Sequence, residues 1–132
     1  MPATSQLKLL VNLAYIDGEV AEREKAYITN IGLANGLTED QISPLFDQKH
    51  EVIIGDDLTP DEKFDYLFRL VQLMKIDERL YQEEIKYCSK VASRLGYDQA
   101  VMFELMLNVR NATMNSDEIE TLKTLTLKYL KL

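Results

Sequence analysis

A chain of 132 residues, 46% hydrophobic and 28% charged, has the size and balance of one globular domain and not of a disordered segment. Its formal charge of −7 repels phosphate backbones, and no basic patch offsets it, so nucleic acid is excluded as an expected partner. With Cys88 the only cysteine and His50 the only histidine, there is no internal disulfide, no thiolate-rich zinc site and no Ser/Cys–His couple for nucleophilic catalysis.

The periodicity is helical from end to end. Leu7, Leu10, Val11 and Ala14 form the i, i+3, i+4, i+7 stripe of an amphipathic helix ending near Ile16. Asp17-Gly18-Glu19-Val20 reads as a turn, and a second helix runs from about Ala21 to Asn35, stopped by Gly36 as a left-handed cap. Thr38-Glu39-Asp40-Gln41 is a capping box that opens a third, shorter helix. Residues 48–58 lack helical periodicity, contain Gly55-Asp56-Asp57, and form the main loop; His50 is expected at its surface.

Thr59-Pro60-Asp61-Glu62 joins a cap hydroxyl, a proline at the first helical position and a glutamate at the third. The fourth helix carries Phe64, Leu67, Phe68, Leu70, Val71, Leu73 and Met74, an arc wide enough to place it centrally. A turn near Asp77 leads to a fifth helix over roughly 81–95, closed by Gly96, with Cys88 expected as a buried structural thiol. Asp98 is expected to cap a sixth helix from about Gln99 to Arg110. Asn115-Ser116-Asp117-Glu118 opens the seventh, and this box outweighs the strand-like alternation of Leu125-Thr126-Leu127. Lys123, Lys128 and Lys131 suit that helix's negative end.

Residues 7–36 laid on residues 67–96 are identical at Leu7/Leu67, Leu10/Leu70, Val11/Val71, Leu13/Leu73, Ile16/Ile76, Asp17/Asp77, Glu24/Glu84, Tyr27/Tyr87 and Gly36/Gly96. The implied fold class is an all-α single-domain bundle of about seven helices. It comprises two pseudo-repeats of three helices, about 5–50 and 60–110, and a closing helix over about 116–131.

Most of the matched residues are apolar or glycine, as a scaffold requires, but two pairs are carboxylates. Glu24 heads the inward stripe of its helix, ahead of Tyr27, Ile28 and Ile31, and Glu84 does the same ahead of Tyr87, Cys88 and Val91. A carboxylate so placed is partly desolvated and needs hydrogen bonds or a cation. Asp17 and Asp77 stand seven residues earlier, where a helical hairpin brings each toward its glutamate. One reading is structural: the aspartates bond turn amides and the glutamates bond the first amides of their own helices. A second is a divalent metal site formed by Asp17, Glu24, Asp77 and Glu84, singly in the first turn or as a composite of both, and a third is an acidic protein-binding surface. Oxygen ligands alone suit Ca²⁺, Mg²⁺ or Mn²⁺, and Zn²⁺ less well. It is not an EF-hand, since Gly18 follows Asp17 immediately.

Leu13-Ala14-Tyr15-Ile16-Asp17-Gly18-Glu19-Val20 with Glu24 and Leu33-Ala34-Asn35-Gly36-Leu37 resembles the tellurite-resistance TerB family. Met74-Lys75-Ile76-Asp77 through Glu84 to Leu95-Gly96-Tyr97 repeats the pattern. Related domains form the N-terminal part of some membrane-anchored DnaJ-like cochaperones. The resemblance covers roughly residues 5–110 and implies a helical domain whose acidic positions are suspected of holding metal ions, here Asp17 and Glu24 with Asp77 and Glu84 as equivalents. Glu78, where the family often has glycine, and Arg79 depart from the pattern and weigh against a cation in the second copy.

Three function classes remain. An enzyme has no support in any nucleophile–base or phosphate-loop motif. A metal-responsive component follows from the acid pairs. Residues 101–109, apolar at seven of nine positions, read either as a central core helix or as the surface of a protein-binding or homodimerising module, and Met102 and Met106, one turn apart, suit gap filling as well as adaptable contact. No apolar run reaches the roughly 20 residues of a bilayer span, and residues 1–6 lack a basic-then-apolar leader pattern, so a cytoplasmic protein without direct membrane insertion is expected.

Overall fold

The computed structural model describes residues 2–16, 20–48, 50–51, 54, 57–76, 82–109 and 114–130. The fold is all-α, with seven α-helices among the described residues: α1 (Pro2–Ala14), α2 (Glu22–Ala34), α3 (Glu39–Ile42), α4 (Pro60–Met74), α5 (Gln82–Arg94), α6 (Val101–Asn108) and α7 (Ser116–Thr126). Two 3-10 segments, Ser43–Asp47 and Leu127–Tyr129, follow α3 and α7. The chain divides into two compact units, residues 1–54 and 55–132.

In the first unit α1 packs on α2 and on the Ser43–Asp47 segment, and α2 packs on α3. The predicted stripe Leu7, Leu10, Val11 and Ala14 is buried, and Leu9 and Leu13 join it. α2 ends in a Schellman motif: Gly36 takes φ 89°, Leu37 N–H donates to the Gly32 carbonyl at 3.0 Å and Gly36 N–H to Leu33 at 3.1 Å. The Thr38 box forms both arms, Thr38 Oγ1 accepting from Gln41 N–H at 3.2 Å and Gln41 Oε1 from Thr38 N–H at 2.8 Å. Pro44 then withdraws an N–H from the ladder, so α3 lasts only four residues and tightens into the 3-10 segment.

His50 is no free surface residue. Its backbone is clamped by Asn12, whose Oδ1 accepts from His50 N–H at 2.7 Å and whose Nδ2 donates to the His50 carbonyl at 2.6 Å. The ring Nε2 lies 2.8 Å from the Leu45 carbonyl, which can only accept, so Nε2 carries the proton. This half-buried histidine ties the start of the long loop to α1, a contact spanning 38 residues that local polarity could not reveal.

In the second unit α4 is central, packing on α5, α6 and α7. Its start is the one read from sequence: Glu62 Oε1 accepts from Thr59 N–H at 2.9 Å and Thr59 Oγ1 accepts from Glu62 N–H at 3.2 Å, with Pro60 at the first position. α5 closes on Gly96 at φ 97°, with Tyr97 N–H on the Ala92 carbonyl at 3.0 Å. α6 is shorter than expected. Asp98 Oδ1 accepts from Ala100 N–H at 2.9 Å, an Asx turn in place of a cap, which delays the helix to Val101. Arg110, its expected end, lies outside the described residues. α7 starts at the Asn115 box, and an isolated antiparallel bridge between Tyr97 and Leu130, with Asp98 N–H on the Tyr129 carbonyl at 2.6 Å, latches the 3-10 segment after α7 to the α5–α6 turn. Lys123 pairs with Glu120 at 3.0 Å and Asp61 at 3.5 Å, and Lys128 with Glu104 at 3.5 Å.

Local features recur at a fixed spacing. α2 and α5 begin and end 60 residues apart, and α1 and α4 end 60 apart. Ile16 N–H on Leu13 at 3.2 Å is matched by Ile76 N–H on Leu73 at 3.1 Å. At the next shared position the chemistry differs: Tyr15 Oη donates to the Phe46 carbonyl, while Lys75 Nζ donates to the Met106 carbonyl.

Two buried phenols make the second unit sensitive to alkali. Burial, with Glu62, Asp65 and Asp57 nearby, pushes Tyr66 up to about 12, and burial does the same for Tyr97 against an opposing hydrogen bond with Thr126. The folded pKa lies above the unfolded value of 10.0, so the stabilisation is complete below pH 10 and is lost as pH rises toward 12. Urea unfolding midpoints should therefore fall across that interval, and Tyr97→Phe should flatten the decline. An unchanged slope in the variant would mean that Tyr97 ionises as freely in the folded chain as in the unfolded one.

Candidate functional site

Glu24 is the third residue of α2 and only 7% exposed, and its Oε1 accepts from the Ala21 N–H at 3.1 Å. Ala21 has no side-chain oxygen to return the bond, so of the capping box only the glutamate's arm forms, over the start of its own helix. Glu84 is the third residue of α5 and 4% exposed, ahead of buried Cys88, Val91 and Ala92. Burial pushes the Cys88 thiol up, and the Glu84 charge adds to the effect. Asp17 and Asp77 lie outside the described residues, as do Gly18, Glu19, Glu78 and Arg79. Among the described residues no group of three His, Cys, Asp or Glu side chains is placed to hold a metal ion.

The apolar stretch at 101–109 resolves into two faces. Val101, Met102, Leu105 and Val109 are buried, while Phe103 and Leu107, one turn apart, are 74% and 83% exposed. Of the two methionines, Met102 belongs to the core, the gap-filling alternative, and Met106 is half-buried. A 3.6-residue wheel already opposes 103 and 107 to 101, 105 and 109, but seven apolar residues in nine hide which side is inside.

Lys75 fixes the far end of α6. Its Nζ donates to the Met106 carbonyl at 2.6 Å and to the Val109 carbonyl, satisfying oxygens that a helix C-terminus leaves open. Burial lowers its pKa. Lys75→Met keeps the stem but strands two carbonyls, and unfolding free energy should drop by about 2 kcal/mol. Chemical denaturation of the two proteins measures it; a loss within error would show that water caps α6 equally well.

Three grooves adjoin these helices. Lys25, Thr29, Glu39, Ile42, Ser43 and Phe46 line about 210 Å³ in the first unit, with the Lys25 ammonium 5.5 Å from the Phe46 ring centroid. Asn108, Met114, Asn115, Asp117, Glu118, Thr121, Leu122 and Leu125 line about 340 Å³ beside α7. Ile85, Lys86, Ser89, Lys90, Ser93, Arg94 and Gln99 line about 530 Å³ beside α5. In that third groove the positive residues, scattered in the sequence, form a row at i, i+4 and i+8.

No described helix is long and apolar enough to cross a membrane. No family model matches the chain, and no curated protein or solved structure matches it either.

Proposed function

We propose that the chain is a non-enzymatic, TerB-like helical module that docks another protein through the outward side of α6. Phe103 and Leu107 carry this reading. Each large apolar side chain left in water forgoes about 1.5–3 kcal/mol of burial, and two adjacent ones on a rigid helix make a ready anchor. The 60-residue spacing of α1/α4 and α2/α5 supports reading the module as two copies of a three-helix unit with α7 added.

The test is light scattering at two concentrations on the native chain and on Phe103→Ser/Leu107→Ser. A mass that rises with concentration in the native chain, and not in the variant, makes the occupant a second copy. A monomer at both concentrations removes a second copy as the occupant. Self-association that survives the double substitution places the contact elsewhere and removes this reading.

A divalent cation at the acidic turns is the second reading, favoured by the burial of Glu24 and Glu84 at the same helical position. A melting temperature raised by Ca²⁺, Mg²⁺, Mn²⁺ or Zn²⁺, with the rise abolished in Asp17→Asn, supports it. If none of the four ions moves the transition, the glutamates serve only their helices.

A further inference from the structure

Beside the exposed pair on α6 lies the groove that Asn108 shares with α7. Buried Leu122 and half-open Leu125 line it with Met114 and Thr121, and its volume of about 340 Å³ takes a large side chain. The Glu104–Asn108 edge of α6 faces this side. Asn108 Nδ2 donates to the Glu104 carbonyl at 2.8 Å and to Glu104 Oε2 at 3.1 Å. Glu104 Oε1 in turn meets Lys128 Nζ at 3.5 Å and Tyr129 Oη at 3.4 Å, both from the segment that follows α7. At about 100° per residue, Leu107 stands about 60° round the helix from Glu104, and Phe103 about 100°. Leu107 therefore projects beside the groove, with Phe103 next to it, and the Glu104–Lys128 pair cancels charge along the edge between.

We propose that the occupant of this face is a second copy of the chain, seated so that Leu107 and Phe103 of each copy enter the α6–α7 groove of the other. The proposal rests on the docking reading above and names its partner. A knob and a groove side by side are what a two-fold interface requires, because the axis passing between them exchanges one for the other. Area favours this seating over α6 lying on α6. At 74% and 83% exposure, Phe103 and Leu107 together present roughly 300 Å². Knob against knob, two copies bury about 600 Å² in all, the scale of a crystal contact. Each knob in a groove covers a like area there, and the total rises to about 1,200 Å², the lower bound of a specific interface and suited to a reversible dimer. A basic ligand drawn to Asp117 and Glu118, which also line the groove, would leave Phe103 and Leu107 in water. An anionic lipid surface is opposed by those carboxylates and by the net charge of −7.

The experiment is sedimentation equilibrium of the full chain from about 10 μM to about 1 mM, the range for a small interface. The native chain should pass from monomer to dimer, and no further. Added salt should tighten the dimer, since two copies of charge −7 repel one another. Leu107→Lys and Leu125→Glu should each weaken association about tenfold or more. Mixed, the two variants should associate at least about tenfold more tightly than either alone, because one seat is then native and the other joins lysine to glutamate. Circular dichroism checks that the variants fold, and Thr121→Arg, at an exposed groove position, replaces Leu125→Glu if that chain does not; its dimer should weaken likewise. A monomer throughout, a dimer that weakens steeply with salt, or a mixture of Leu107→Lys and Leu125→Glu no tighter than its components each overturns the proposal. If the α6 variant loses the dimer and the groove variant keeps it, seating in the groove is rejected while docking through α6 stands. A dimer that survives both substitutions rejects the two together.

Discussion

Phe68→Ala should lower the unfolding free energy by about 3–5 kcal/mol, the largest loss expected from one truncation in this chain. Phe68 is fully buried on the central helix α4, its ring centroid 5.5 Å from that of Phe64 at an interplanar angle of 22°. Removing the ring forfeits its burial, its stacking and its packing against helices that can close the gap only in part. Phe103→Ala removes the same atoms from a residue that lies in water, and its cost should stay within about 0.5 kcal/mol. Urea unfolding followed by circular dichroism compares the two directly. If the second substitution costs as much as the first, the two faces of α6 have been assigned the wrong way round.

Gly32→Leu should destabilise by about 3 kcal/mol or more, through crowding and not through loss. A Cβ at Gly32 would stand 2.6 Å from Ile42 Cδ1, 2.9 Å from Ile42 Cγ1 and 2.9 Å from Leu7 Cδ1, so α1 and α3 both press on α2 at this point. Alanine recovers about 1 kcal/mol of helix propensity but its Cβ still forces Ile42 and Leu7 to shift, so Gly32→Ala should be milder than leucine without being neutral. Relief from Ile42 is diagnostic. Ile42→Ala should cost less in the Gly32→Ala background than in the native chain, a coupling that thermal melts of the four proteins would expose. Strict additivity would mean that the two residues do not touch. At the equivalent place in the second unit Ala92 is buried, so the close approach at Gly32 belongs to the first unit alone.

What the sequence made legible was what neighbours along the chain decide. The boxes at Thr38, Thr59 and Asn115 and the left-handed caps at Gly36 and Gly96 involve residues within a few positions of one another, and each forms as its local chemistry dictates. Asp98 failed as a cap because the same carboxylate serves equally well in an Asx turn, and the latch to Tyr129 holds that turn. The roles of His50, Lys75 and Gly32 were illegible for another reason: their partners lie 38, 31 and 25 or fewer residues away and are fixed only once helices pack. In the candidate site, the inward placement of Glu24 and Glu84 followed from periodicity, whereas the outward placement of Phe103 and Leu107 did not, since α6 is apolar nearly all round. The cationic row of α5 was missed because three residues stand between each member and the next in the sequence, and a helix turn reunites Lys86, Lys90 and Arg94.

Cys88 has a practical corollary. The chain holds a single thiol, it is fully buried in α5, and its surroundings keep it protonated. A thiol-reactive dye can modify it only in molecules whose α5 has momentarily lifted away, so the labelling rate under native conditions is a built-in stopwatch for opening of that helix.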